Sequence, residues 1–134
     1  NSYVDTGPSL AVQKAGAAAL DRAEELVEPV RAELGRRRDA AVSALRGAGF
    51  ALEAPKAAMY LWVALPAGVP SAAFATRALE ETGALVLPGS AFGPAGEGFF
   101  RIALTVGAER LREAAGRLGR TLEALRGSEL APTA

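Results

Sequence analysis

The sequence predicts a mixed α/β fold, a small sheet of about four strands with helices packed against it. Three observations predict it. The chain has 134 residues, of which half are apolar and 22% charged, a balance that suits one packed core and excludes a long disordered chain. The apolar period is helical up to about Arg46, changes to two from Phe50, and returns to helical after Gly107. Gly and Pro cluster at 66–70 and 88–98, which breaks the middle of the chain into short runs.

The elements follow in order. Residues 1–8 carry turn formers and read as an irregular entry, and Pro8 and Ser9 suit the first turn of a helix running to about Leu20. A longer helix is expected from Glu28 and Pro29 to about Arg46. Its apolar positions are Val30, Leu34, Ala41, Val42 and Leu45, and Arg36, Arg37, Arg38 and Asp39 form a solvated stretch. Gly47 and Gly49 end it. Residues 50–54 read as a short strand, followed by a turn at Pro55 and Lys56.

Residues 59–65 read as a second strand. Met59, Leu61, Val63 and Leu65 alternate with Tyr60, Trp62 and Ala64, so both faces are apolar and both are expected to be covered. Ser71 can cap a helix with Phe74, Ala75, Ala78 and Leu79 on one face, and Gly83 stops it. Residues 84–87 form a third strand that runs into a glycine-rich loop, and residues 99–105 form a fourth. The last helix carries the stripe Leu111, Ala114, Ala115, Leu118, Leu122 and Leu125, with a loose tail from Gly127. Short connections favour antiparallel pairing, and a strand–helix–strand step would supply a parallel pair.

Composition removes many functions. The chain has no cysteine and no histidine, which excludes zinc fingers, disulfide frameworks, thiol nucleophiles, Ser-His-Asp triads and nearly every transition-metal site. Fifteen Lys plus Arg cancel fifteen Asp plus Glu, so no global field attracts nucleic acid or an anionic membrane. The apolar stretches fall short of a membrane span and no secretory leader pattern opens the chain, which is compatible with a cytoplasmic setting.

Arg101 is the sharpest single residue. It lies inside an apolar strand, where an unpaired guanidinium is costly, and Arg is the side chain best shaped to grip a carboxylate or phosphate through two parallel hydrogen bonds. A snorkelling or ion-paired Arg at a sheet edge, with Glu97 as partner, fits the same residues. The loop from Pro88 to Gly98 would let backbone N–H groups approach a ligand, although its spacing matches neither a Walker A sequence nor GxGxxG and also suits a plain connection. Tyr60 and Trp62 share a strand face and could line a pocket or a core. Asp5, Thr6 and Gly7 read as turn chemistry. Lys14, in an Ala-rich helix, and Lys56, in a proline turn, both lack the desolvated setting of a Schiff-base lysine.

Four segments in order, NSYVDTGPSLAVQKAGAAAL, VRAELGRRRDAAVSALRGAGF, APKAAMYLWVALP and ALVLPGSAFGPAGEGFFRIALT, strongly resemble the C-terminal part of class I/II aminotransferases. These are pyridoxal-phosphate enzymes of fold type I. The resemblance is nearest to the aspartate and LL-diaminopimelate or N-succinyldiaminopimelate branch. It implies that Arg101 binds the substrate α-carboxylate. It implies that Gly89, Ser90 and Phe92 of PGSAFG lie at the substrate entrance, and that Asp5 and Gly7 lie at the entrance or an interface. By the same resemblance, residues 1–25 end a large cofactor-binding domain, 26–48 form a long interdomain helix, 49–126 form the small domain and 127–134 a flexible tail.

The resemblance also implies a cytoplasmic homodimer, amino-acid and 2-oxo-acid substrates, and pyridoxal 5'-phosphate in the intact enzyme. The family's cofactor-bearing lysine and most of its cofactor ligands match nothing in these 134 residues. No cofactor-binding, catalytic or metal residue is therefore assigned, and this stretch alone is expected to be an inactive part of a longer enzyme. A stand-alone amino-acid-binding regulatory domain, or an interaction domain, is the alternative expectation.

Overall fold

In the computed structural model, which describes residues 7–129, the chain falls into two units, residues 1–33 and 34–134. In the first unit, α1 (Leu10–Asp21) starts beside Pro8, whose carbonyl accepts a 2.7 Å hydrogen bond from Gln13 Nε2. No residue of α1 is buried. The next helix, α2 (Ala23–Gly47), begins in the first unit and ends in the second. It starts one and a half turns earlier than the Glu28–Pro29 signal suggests and carries Pro29 inside it. Glu24 and Glu25 in its first turn complement the helix dipole, and Arg22 pairs with Glu25 at 2.6 Å. Pro29 forfeits one intrahelical hydrogen bond, and the long run around it absorbs that loss.

The second unit holds a three-stranded sheet, not four strands. Its members are β1 (Tyr60–Ala64), β2 (Leu87–Pro88) and β3 (Phe99–Ala103), in the order β1-β3-β2, with both pairs antiparallel. The expected parallel pair is absent among the described residues. The chain returns from β2 through a short loop, and β3 inserts between the two strands that a helix connects. Residues 50–54 form no strand. The Arg46 guanidinium donates twice to the Leu52 carbonyl, at 3.1 and 3.0 Å, so that oxygen is engaged by a side chain, and Pro55 has no N–H to offer a ladder.

The helices α3 (Ser71–Thr82) and α4 (Ala108–Glu129) pack together and cover one face of the sheet with the end of α2. α4 continues through residues 127–129, past the expected start of the tail, because the helical pattern meets no Pro or second Gly there. Leu61 and Val63 of β1 and Phe100 of β3 face inward onto Leu45, Phe74, Leu118 and Leu122. Phe50, Phe74 and Phe100 form the aromatic centre, with ring centroids 5.0–6.0 Å apart. Gly119 lets α4 approach α2, since a Cβ there would come within 3.0 Å of the Ala48 Cβ.

Two further expectations change. Arg37 and Arg38 are half-buried, not solvated. Arg37 donates to the Leu104 carbonyl at 3.0 Å, just beyond β3, and Arg38 pairs with Asp39 and reaches the Pro55 carbonyl. Arg37 thus meets a carbonyl just past β3, and Arg38 one in the connection before β1. The sheet is also covered on one face only among the described residues, because no helix of the second unit reaches the face of Tyr60 and Trp62.

Phe100→Ala removes the ring that touches both other phenylalanines from a fully buried position. It is expected to destabilise this unit by about 3–5 kcal/mol. Chemical denaturation of the full-length protein, followed by the near-ultraviolet signal of the aromatic core, checks this.

Candidate functional site

Alternation along β3 places Phe100 and Ile102 on the core face and Phe99, Arg101 and Ala103 on the open one. The register then decides Arg101's neighbours. Trp62 of β1 stands directly across on one side and Leu87 of β2 on the other. Tyr60 is one diagonal step away, opposite Ala103. Arg101 is half-buried, and its Cζ lies 4.2 Å from the centroid of the Tyr60 ring and 4.6 Å from that of Phe92.

Glu97 is not the partner of Arg101. Its carboxylate accepts hydrogen bonds from the Ser71 N–H at 2.6 Å and the Gly98 N–H at 3.1 Å, and lies 3.1 Å from Ser71 Oγ. Pro70, the residue at the cap of α3, supplies no side-chain acceptor, so Glu97 meets the exposed donors of that helix start from across the fold. Among the described residues no carboxylate pairs with Arg101 and no hydrogen bond engages its N–H groups. The guanidinium therefore lies on aromatic faces with its donor edges uncommitted.

The loop after β2 consists of two 3₁₀ turns, Gly89–Phe92 and Pro94–Gly96. Gly89 and Gly96 are buried against each other: a Cβ on Gly89 would collide with the Gly96 carbonyl and sit 2.7 Å from the Phe99 carbonyl oxygen. Ser90 ties the loop to α3, its N–H donating to Ser71 Oγ at 3.2 Å and its hydroxyl 3.0 Å from the same oxygen. Phe92 ends the first turn with its ring edge-on to Trp62 at 5.6 Å, and Trp62 stacks on Phe99 at 5.7 Å. The result is an aromatic platform with one cation on it, bordered by a pinned loop.

Of the residues expected at the site, Arg101, Gly89, Ser90 and Phe92 come together in the second unit. Ser90 and Gly89 serve as loop anchors, and Phe92 touches the cation. Gly7 lies in the first unit, exposed, with φ of +87°, while Asp5 and Thr6 lie outside the described residues. Sequence reasoning did not join Tyr60 to Arg101. The period-two pattern put Tyr60 and Trp62 on one face, but the pairing needs the β1–β3 register. Nor did it find Ser71 as the hub of the loop: Ser71 is expected to cap α3, whereas Pro70 holds the cap and Ser71 is the first helical residue.

The chain matches the model of the family Aminotransferase class I and II over residues 2–118. It belongs to that family. An LL-diaminopimelate aminotransferase of Moorella thermoacetica is 46% identical over 121 residues, which is 90% of this chain and 31% of that protein. A probable N-succinyldiaminopimelate aminotransferase from Thermus thermophilus superposes with a TM-score of 0.84 at 37% identity, covering 90% of this chain and 32% of that one. The α-aminoadipate aminotransferase from another strain of Thermus thermophilus, solved complexed with N-(5'-phosphopyridoxyl)-L-leucine, gives a TM-score of 0.74 at 28% identity, covering 84% and 30%. The chain thus spans about 30% of the length of these aminotransferases.

Enzymes of this aminotransferase family are in general pyridoxal-phosphate dependent. Among the described residues neither lysine is placed to bear that group. Lys14 and Lys56 are both exposed, Lys14 on α1 and Lys56 on the turn before β1, and neither is in the desolvated setting that a Schiff-base lysine needs. What these residues do hold is an arginine seated on two aromatic rings.

Two outcomes test the geometry. Gly89→Ala forces the two buried backbones apart and is expected to cost about 3 kcal/mol or more, read as a lowered unfolding midpoint. The second concerns pH. Hydrogen bonds from the backbone of Ser71 first, then of Gly98, hold the Glu97 carboxyl below its ordinary value of 4.5. Glu97 therefore stabilises the folded state above that value, and the contribution disappears as pH falls through the depressed one. Glu97→Gln is expected to melt lower at neutral pH and to lose less on acidification below about 4.5 than the wild type. Parallel melting curves of the two proteins from pH 3 to pH 7, roughly the span of carboxylate titration, check it.

Proposed function

We propose that this chain is the substrate-carboxylate-binding part of a pyridoxal-phosphate-dependent aminotransferase. The whole protein would move an amino group between an amino acid of the aspartate or diaminopimelate type and a 2-oxo acid. One observation carries the reading: in a member of the class I and II family, Arg101 stands on an aromatic platform with its N–H edges free of any described carboxylate. The family match supports this over a stand-alone regulatory or interaction domain.

The chemistry available to these residues is binding and orientation. Arg101 presents a planar fork that takes a carboxylate through two charge-assisted hydrogen bonds, which fixes both the position and the rotation of the substrate's α-carbon. The rings beside it keep water from one side of the guanidinium, which strengthens those hydrogen bonds. The loop 88–98 sets the rim on one side, held by Ser71 and Glu97. Bound in the whole protein, pyridoxal phosphate would supply an electron sink at the α-carbon.

The names of the relatives support a substrate with a long acidic or diamino chain. They include LL-diaminopimelate, N-succinyldiaminopimelate and α-aminoadipate aminotransferases. A cytoplasmic homodimer belongs to the same proposal through the family resemblance. Among the described residues no helix is long and apolar enough to cross a membrane.

In the full-length protein, Arg101→Ala is expected to raise the KM for the amino acid and lower kcat, with a loss of roughly a hundredfold or more in kcat/KM. Two charge-assisted hydrogen bonds at about 1.5–3 kcal/mol each set that scale. Steady-state assays with LL-diaminopimelate, aspartate and glutamate against 2-oxo acids measure it. Unchanged efficiency toward every amino acid would overturn the role.

A further inference from the structure

The second unit shows how its other half-buried or anchoring arginines are fixed. Arg37 binds the Leu104 carbonyl, Arg46 the Leu52 carbonyl, and Arg117 the Thr82 carbonyl together with Glu113. Each commits N–H donors to protein oxygen. Arg101 is held differently, by Tyr60 and Phe92 rings at 4.2 and 4.6 Å from its Cζ. A ring attracts a guanidinium through its π face and leaves the in-plane N–H groups available.

The two rings are themselves fixed. Tyr60 belongs to β1, whose ladder with β3 sets its diagonal to Arg101. Phe92 sits at the end of the turn Gly89–Phe92, which the buried Gly89–Gly96 contact and Ser90 pin, and its ring leans on Trp62. The rings come from two separate elements and meet at one cation. A long, flexible side chain that would otherwise sample many rotamers is thereby held before ligand arrives, which lowers the entropy cost of binding.

We propose that Tyr60 and Phe92 are positioning residues for carboxylate recognition: their rings hold the Arg101 guanidinium face-on and keep its N–H edges directed to the ligand. This rests on the carboxylate-binding reading of Arg101. The rings act on the substrate through Arg101 and take no part in proton or group transfer.

The test uses the full-length holoprotein and calorimetric titration with straight-chain dicarboxylates from succinate to pimelate, which carry no amino group and undergo no transfer. Tyr60→Leu and Phe92→Leu are each expected to weaken the tightest of these ligands about three- to thirtyfold, the range of a partly desolvated cation–π contact. Tyr60→Phe and Phe92→Tyr are expected to restore wild-type affinity. Stepwise fluorination of the phenylalanine at position 92 keeps its shape and weakens its π face, so affinity should fall with each added fluorine while the melting midpoint stays constant.

In the Arg101→Ala background the ring substitutions should add no further loss. If Arg101→Ala itself leaves dicarboxylate affinity unchanged, or if the wild type binds none of the series, the carboxylate reading fails and this inference with it. If Arg101→Ala weakens binding but the leucine and fluorinated variants bind as the wild type does, this inference alone fails. Should the leucine variants not fold, the fluorinated series decides the matter on its own.

Discussion

The antiparallel pairing of β1 with β3 is the constraint on which the second unit depends. β3 is the central strand, and its alternation does two jobs at once. Phe100 goes inward to meet Phe50 and Phe74, and Arg101, one residue on, goes outward beside Trp62 and Tyr60. A slip of one residue in the register would bury the guanidinium and expose the phenylalanine. The energy of the aromatic core therefore also enforces the placement of the cation. Stability and the placement of Arg101 are two faces of one ladder.

The loop is built on a similar coupling. Gly89 and Gly96 approach so closely that only glycine fits at either, and Ser71 at the start of α3 bonds to both Ser90 and Glu97. Glu97 is thereby engaged at a helix start and kept away from Arg101. This matters electrostatically: an acid beside Arg101 would compete with any incoming carboxylate. The loop removes the competitor and, with the same backbone, delivers Phe92 to the cation.

The open sheet face is rich in large apolar side chains. Trp62, Tyr60, Leu87 and Phe92 are 38–51% exposed around a single guanidinium. A contiguous apolar patch of this kind is a contact surface or a ligand wall. The aminotransferases matched here are about three times as long as the stretch they share with this chain, so they carry much structure beyond it. A charge-assisted hydrogen bond on such a platform would gain most if the platform were covered, since it is strongest where water is excluded.

Local pattern in the sequence determined the helices and the main strands. The stripe from Leu111 to Leu125, the Ser71 start with its Gly83 stop, and the alternation around Leu61 and Phe100 each depend on spacing within one element. Arg101 was legible for the same reason, as a charge in an apolar strand. Pro29 misled because a proline marks a helix start by local preference, while a long helix tolerates one missing bond. Residues 50–54 misled because alternation cannot show that Arg46 has taken the Leu52 carbonyl. What the tertiary structure alone decided are relations between elements: three strands in the order β1-β3-β2, Glu97 at Ser71 in place of Arg101, Arg37 at Leu104, and two rings from different elements on one guanidinium. The physical reason is reach. Side-chain periodicity is set by backbone dihedrals within a few residues, whereas register and donor–acceptor pairing are settled by competition among groups distant in the chain, and only the folded arrangement determines which pairing prevails.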